Sequence, residues 1–83
     1  MAMTQTDEQA LDALRYMVRN VPRDSVPVVE QTLRVWPMLR IDDKIRHYAR
    51  ARTISERSCP MLRSKDRLAA AAQALEAQAR LFL

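Results

Sequence analysis

Across 83 residues the chain contains no glycine. Every reversal must therefore use Asn, Asp, Ser or Pro in place of the residue most at ease with positive φ. A strand-rich fold of this length needs several tight hairpins, and their two-residue turns usually carry glycine. The chain is instead rich in Ala, Leu, Arg and Gln, which are good helix formers. The expectation is an all-α fold, a small bundle of three to four helices in one domain spanning 1–83, with breaks at 21–24, 36–40 and 56–63.

Four stretches carry apolar residues at helical spacing. In "TDEQALDALRYMVRNV" these are Leu11, Leu14, Met17 or Val18, and Val21. Thr6 is the expected cap, with Gln9 three residues on and Asp7 and Glu8 suited to the positive end of the helix dipole. Pro22 stops this helix. Asp24 or Ser25 is expected to cap a second one, with Pro27 tolerated in its first turn. Its stripe is Val26, Val29, Leu33 and Trp36, and Pro37 ends it. The valines leave a short strand at 26–29 as the competing reading. A third helix is expected from Ile41 to Ser55 or a turn further. The fourth, "KDRLAAAAQALEAQARLFL", is the clearest by propensity and has Ser64 as its cap. In it Leu68, Leu75 and Phe82 recur every seven residues, with Ala72 and Ala79 between them, an a/d-like seam over two heptads.

A chain this short buries only about 60 to 65 % of the surface its unfolded form exposes, so association would help it. Two expectations compete for the seam: pairing with a second copy in a homodimer through the C-terminal helix, or packing back on the chain's own bundle. Trp36, Leu68, Leu75 and Phe82 are the candidate interface residues, with a core role as the alternative for Trp36.

Several function classes are disfavoured by residue content. One cysteine makes no internal disulfide. The longest uninterrupted apolar run, Leu68–Ala72, is far too short for a membrane span. "MAMTQTDEQ" is polar and acidic, unlike a signal peptide. A cytoplasmic protein is the resulting expectation. Asp43 and His47, with Cys59 nearby in sequence, fall short of the four N or S ligands of a structural zinc site. The pair reads instead as a surface contact between residues four apart. A Cys59–His47 dyad is formally available, but the flank "SCPM" matches no activated-cysteine signature. Without glycine there is neither a P-loop nor a dinucleotide fingerprint. No metal, no cofactor and no enzymatic activity are expected.

What stands out is charge. The net +4 is unevenly spread. Residues 1–33 carry three basic and five acidic side chains, whereas residues 34–67 carry ten basic and four acidic. The densest stretch is "RIDDKIRHYARARTISER", residues 40–57. Projected at 100° per residue, Arg46, Arg50 and Arg57 fall within about 40° of one another, opposite Ile41, Ile45 and Tyr48. Arg40 and Lys44 lie near the start of this helix, and Arg63, Lys65 and Arg67 near its end. Asp42 and Asp43 can pair with Arg46 and His47 along a solvated face, but Arg50 has Arg46 and Ile54 at four residues' distance and no acid.

The expected function is a non-enzymatic regulatory or adaptor protein that contacts an acidic surface of another protein through Arg40, Lys44, Arg46, Arg50 and Arg57. The alternative is a nucleic-acid-binding accessory protein using the same face. For that role the helix offers only Thr53 and Ser55 as base readers. The turn "WPMLR" before it, with proline and no glycine, fits a helix-turn-helix poorly.

Overall fold

The computed structural model describes residues 4–58 and 65–81. They form four helices: α1 (Gln5–Asn20), α2 (Val26–Val35), α3 (Ile41–Ser58) and α4 (Lys65–Arg80). Short 3-10 turns, Arg23–Ser25 and Trp36–Met38, lead into α2 and out of it. There is no strand among the described residues, so 26–29 is the first turn of α2. The Cα radius of gyration, 12.1 Å, is that of a compact chain of this length, about 12 Å.

α1 starts two residues earlier than its expected cap allows. Thr4, not Thr6, is the N-cap: its hydroxyl accepts the Asp7 backbone N–H at 3.1 Å, and Asp7 Oδ2 accepts the Thr4 backbone N–H at 3.3 Å and its hydroxyl at 3.0 Å. Asp7 thus fills the place that Glu or Gln usually takes in a reciprocal capping box. The helix buries Ala10, Leu11, Ala13, Leu14 and Met17. It ends where Pro22 forces Val21 into extended geometry (φ −85°, ψ 156°), and the Val21 N–H still donates to the Met17 carbonyl at 2.9 Å.

Neither Asp24 nor Ser25 caps α2 through its side chain. The 3-10 turn feeds the chain in already helical, and backbone carbonyls take the first N–H groups, Ser25 N to Pro22 O at 2.9 Å and Val26 N to Arg23 O. Pro27 sits in the first turn, where a missing N–H costs nothing. After Val35 the turn at Pro37 tightens the chain until Leu39 becomes extended (φ −86°, ψ 142°). No described residue has positive φ. The described connections are therefore built from proline and 3-10 geometry alone.

α3 runs through Ser58, one turn past Ser55, and so covers the start of the expected 56–63 break. The rest of that break, with Cys59, Arg63 and the expected Ser64 cap, lies outside the described residues, as does Phe82.

α1 packs against all three other helices, and α3 also packs on α2 and α4. One core joins them, centred on Leu14, Met17, Val29, Trp36, Tyr48, Leu68 and Leu75. Leu68 and Leu75 are covered by their own chain, 0 % and 1 % exposed. These two positions of the seam expected to pair two copies are therefore spent within one. Burying each leucine contributes roughly 1.5 to 3 kcal/mol, which unpacking for a partner would forfeit. Leu81, which the heptad places away from the seam, is 85 % exposed. No helix of the described residues is long and apolar enough to cross a membrane.

Candidate functional site

The candidate surface is the outer side of α3, and the helix's inner side decides which cations reach it. Tyr48, Ala51 and Ser55 are buried. Lys44 lies in the same sector, about 40° from Tyr48 by helical projection, and it turns inward. Its Nζ sits 2.7 Å from Asp7 Oδ1, and the Lys44 side chain is only 14 % exposed. Asp7 Oδ1 also accepts the Trp36 Nε1–H at 3.0 Å, and Nζ stands 5.6 Å from the centre of the Trp36 ring. This corrects two expectations. Lys44 is not an outward phosphate or partner ligand, and Trp36, fully buried, is not an interface anchor. Together with Thr4 they form a polar knot joining the start of α1, the turn after α2 and the first turn of α3. Burial pushes the Asp7 carboxyl up. The hydrogen bonds from Lys44, Trp36 and Thr4, with the Lys44 charge, outweigh burial and hold it below the usual aspartate value.

The other expected cations face water. Arg46 is 76 % exposed at its side chain and is ion-paired with Asp43. Asp43 is therefore engaged by Arg46, three residues on, and not by His47. Arg50 and Arg57 are exposed and have no ion pair among the described residues, and neither has Arg40, exposed just before the helix. Asp42 is exposed at the N-terminal end of the same face. Arg52, half-buried, lies off this row and pairs with Glu56 at 2.9 Å.

Between the arginine row and α4 the surface is cut down to small residues. Ala49 and Thr53 are exposed there, and the Thr53 hydroxyl donates back to the Ala49 carbonyl at 2.9 Å. They edge a cleft of about 200 Å³ between α3 and α4. Ile45, Tyr48, Ala72 and Leu75 supply its apolar lining, and Arg52, Glu56 and Glu76 its polar rim. Tyr48 closes the floor; its hydroxyl donates to the Leu68 carbonyl at 2.7 Å, and burial pushes its ionisation above the ordinary tyrosine value.

Lys44's inward turn was present in the sequence, in its angular position beside Tyr48. Asp7 as its partner was not, because the two are 37 residues apart. The cleft was missed because Ala49 and Ala72 carry no chemistry of their own; only packing two helices makes a hollow of them. His47 has no ion pair, and no group of three or more potential metal ligands occurs among the described residues. The Cys59 half of the formal dyad lies outside them. No protein family, no curated protein and no solved structure matches the chain.

Proposed function

We propose that the protein is a non-enzymatic adaptor or regulatory module whose outward α3 face, with Arg40, Arg46, Arg50 and Arg57, contacts an acidic surface of another protein. The observation that favours a protein partner over nucleic acid is the state of the base readers. The Thr53 hydroxyl is turned onto its own helix, and Ser55 is fully buried. Base recognition wants such groups free beside the arginines. The cation count points the same way. Lys44 is committed to Asp7 and Arg46 to Asp43, and Asp42 stands on the face itself. Three unpaired guanidiniums suit a small acidic patch better than the six to ten or so phosphate contacts of a typical duplex binder.

The test is comparative capture from an extract of the native host with the full chain and with an Arg50→Glu/Arg57→Glu variant. A protein held by the first, released by the second and cross-linked through Asp- or Glu-rich residues is the expected result. The reading is overturned if the full chain instead shifts duplex or single-stranded nucleic acid in gels at low salt and loses it steeply as salt rises.

A further inference from the structure

We infer that the cleft between α3 and α4 seats one bulky apolar side chain of the acidic partner. The partner segment is then amphipathic: acidic where it crosses the arginine row, and apolar at the position over Ala49. This rests on the reading of α3 as the binding face and adds the anchor that such a face needs.

Size decides the class of occupant. Small-molecule sites run from about 300 to 1,000 Å³, whereas this cleft measures about 200 Å³, the scale of a single large side chain. Its lining is apolar at the floor, through Ile45, Tyr48 and Leu75, and short-walled at Ala49 and Ala72. The low walls are at these two alanines, and the Arg52–Glu56 pair stands on the rim. Helical projection sets the cleft-lining Ile45 and Glu56 about 100 to 120° from the middle of the arginine row, with Ala49 and Thr53 between and Asp42 in the same sector at the start of the helix. A segment lying along α3 can reach both at once, in the manner of a helix laid in a groove.

Charge fixes the segment's orientation. Arg46, Arg50 and Arg57 form one flank. Glu76 stands on the other with no ion pair among the described residues, and Glu56 is already held by Arg52. The partner's acids must face α3, and its α4-facing side must lack them.

Among the described residues, a second copy of this chain offers no segment that meets the requirement. Its exposed large apolar residues among those described are Met38, 75 % exposed, and Leu81, 85 % exposed. Met38 is followed by Leu39 and Arg40, and Leu81 is preceded by Arg80. Both stand beside arginine rather than acid.

The test uses the full chain as bait for a phage-displayed library of random twelve-residue peptides, followed by fluorescence anisotropy with the selected peptides. The expected selection combines several Asp or Glu residues with one large apolar residue at a fixed place. Filling the cleft mouth with Ala49→Trp should weaken binding about tenfold or more, as loss of an anchor does. Because Ala49 is exposed, helicity by circular dichroism should be unchanged. Thr53→Trp is the second filling variant. Replacing the peptide's apolar residue by Ala should cost a similar factor with the chain unaltered, which separates anchoring from misfolding.

If Arg50→Glu/Arg57→Glu abolishes binding while both filling variants and the peptide Ala change leave it intact, the basic face stands and the cleft inference falls. If none of these changes matters, or no peptide is enriched above background, both fall. Binding of the chain to itself, seen as a doubled mass in light scattering and lost in Ala49→Trp, would replace the partner by a second copy and overturn the inference.

Discussion

Asp7 carries more of the structure than any other polar residue described. One carboxylate closes the capping box of α1, accepts the Trp36 indole and neutralises Lys44. Asp7→Asn leaves the Lys44 charge in a nearly closed site with no counter-charge, a change of the kind that costs about 3 to 5 kcal/mol. Urea unfolding should place the variant near or below the stability limit of a domain this small. The pH dependence follows in sign. The Asp7 carboxyl is held below its ordinary value in the fold, so in acid the unfolded chain takes up a proton more readily than the folded one does. Stability from this knot is fully present above the ordinary aspartate range, about pH 4, and is lost as pH falls through the lowered value. Unfolding measured from pH 6 down to 2 should show that loss in the natural chain and a flatter profile in Asp7→Asn. Ser55 makes the opposite prediction. Its hydroxyl is fully buried without a hydrogen-bond partner, so Ser55→Ala removes an unmet desolvation cost. It should be neutral or stabilising by up to about 1 kcal/mol in the same assay.

At the level of elements, α4 shows what local pattern can and cannot reveal. Its helicity was legible from alanine and leucine content, and its buried leucines from their spacing. Which surface they would meet was not, because a seam reads the same whether its partner is a neighbouring helix or another copy. Leu68 and Leu75 meet α1 and α3 of their own chain. Leu75→Glu should therefore unfold the chain, read as loss of helical circular dichroism, and not yield a folded monomer from a dimer. The milder Leu75→Ala should cost about 2 to 5 kcal/mol. The same division runs through the other elements. The apolar stripe of α1 and the stop at Pro22 follow from short-range rules, but Thr4 prevails over Thr6 because Asp7 is fixed by Trp36 and Lys44 from far along the chain. The arginine row on α3 was legible because helical projection needs no tertiary information. Lys44 was misjudged although its angle beside Tyr48 set it on the inner sector, because the acid that holds it there lies 37 residues away.

For the whole molecule, the uneven charge of the sequence is partly an internal affair. The acidic first third supplies Asp7 to Lys44 of α3 and Asp12 to Arg67 of α4, at 2.7 Å in each case. The first pair is nearly closed to solvent and the second open, with side chains 52 % and 59 % exposed. Salt screens exposed charges over about 8 to 10 Å but affects closed pairs much less. Raising NaCl from about 0.05 to 0.5 M should thus leave the thermal midpoint nearly unchanged, while affinity for an acidic protein surface falls. Differential scanning fluorimetry and anisotropy over one salt series would show the two responses part; a parallel collapse of both would place the arginine row in the folding machinery instead.

The connections without positive φ bear on a state no structure displays, the denatured ensemble. A glycine in an unfolded chain roams both halves of backbone space, and folding must surrender that freedom; a proline has little to surrender. With Pro22, Pro27 and Pro37 at or beside its described turns and no glycine anywhere, this chain begins its folding from a narrower set of conformations than most sequences of its length. Part of what holds four short helices together is therefore exerted before any of them has formed.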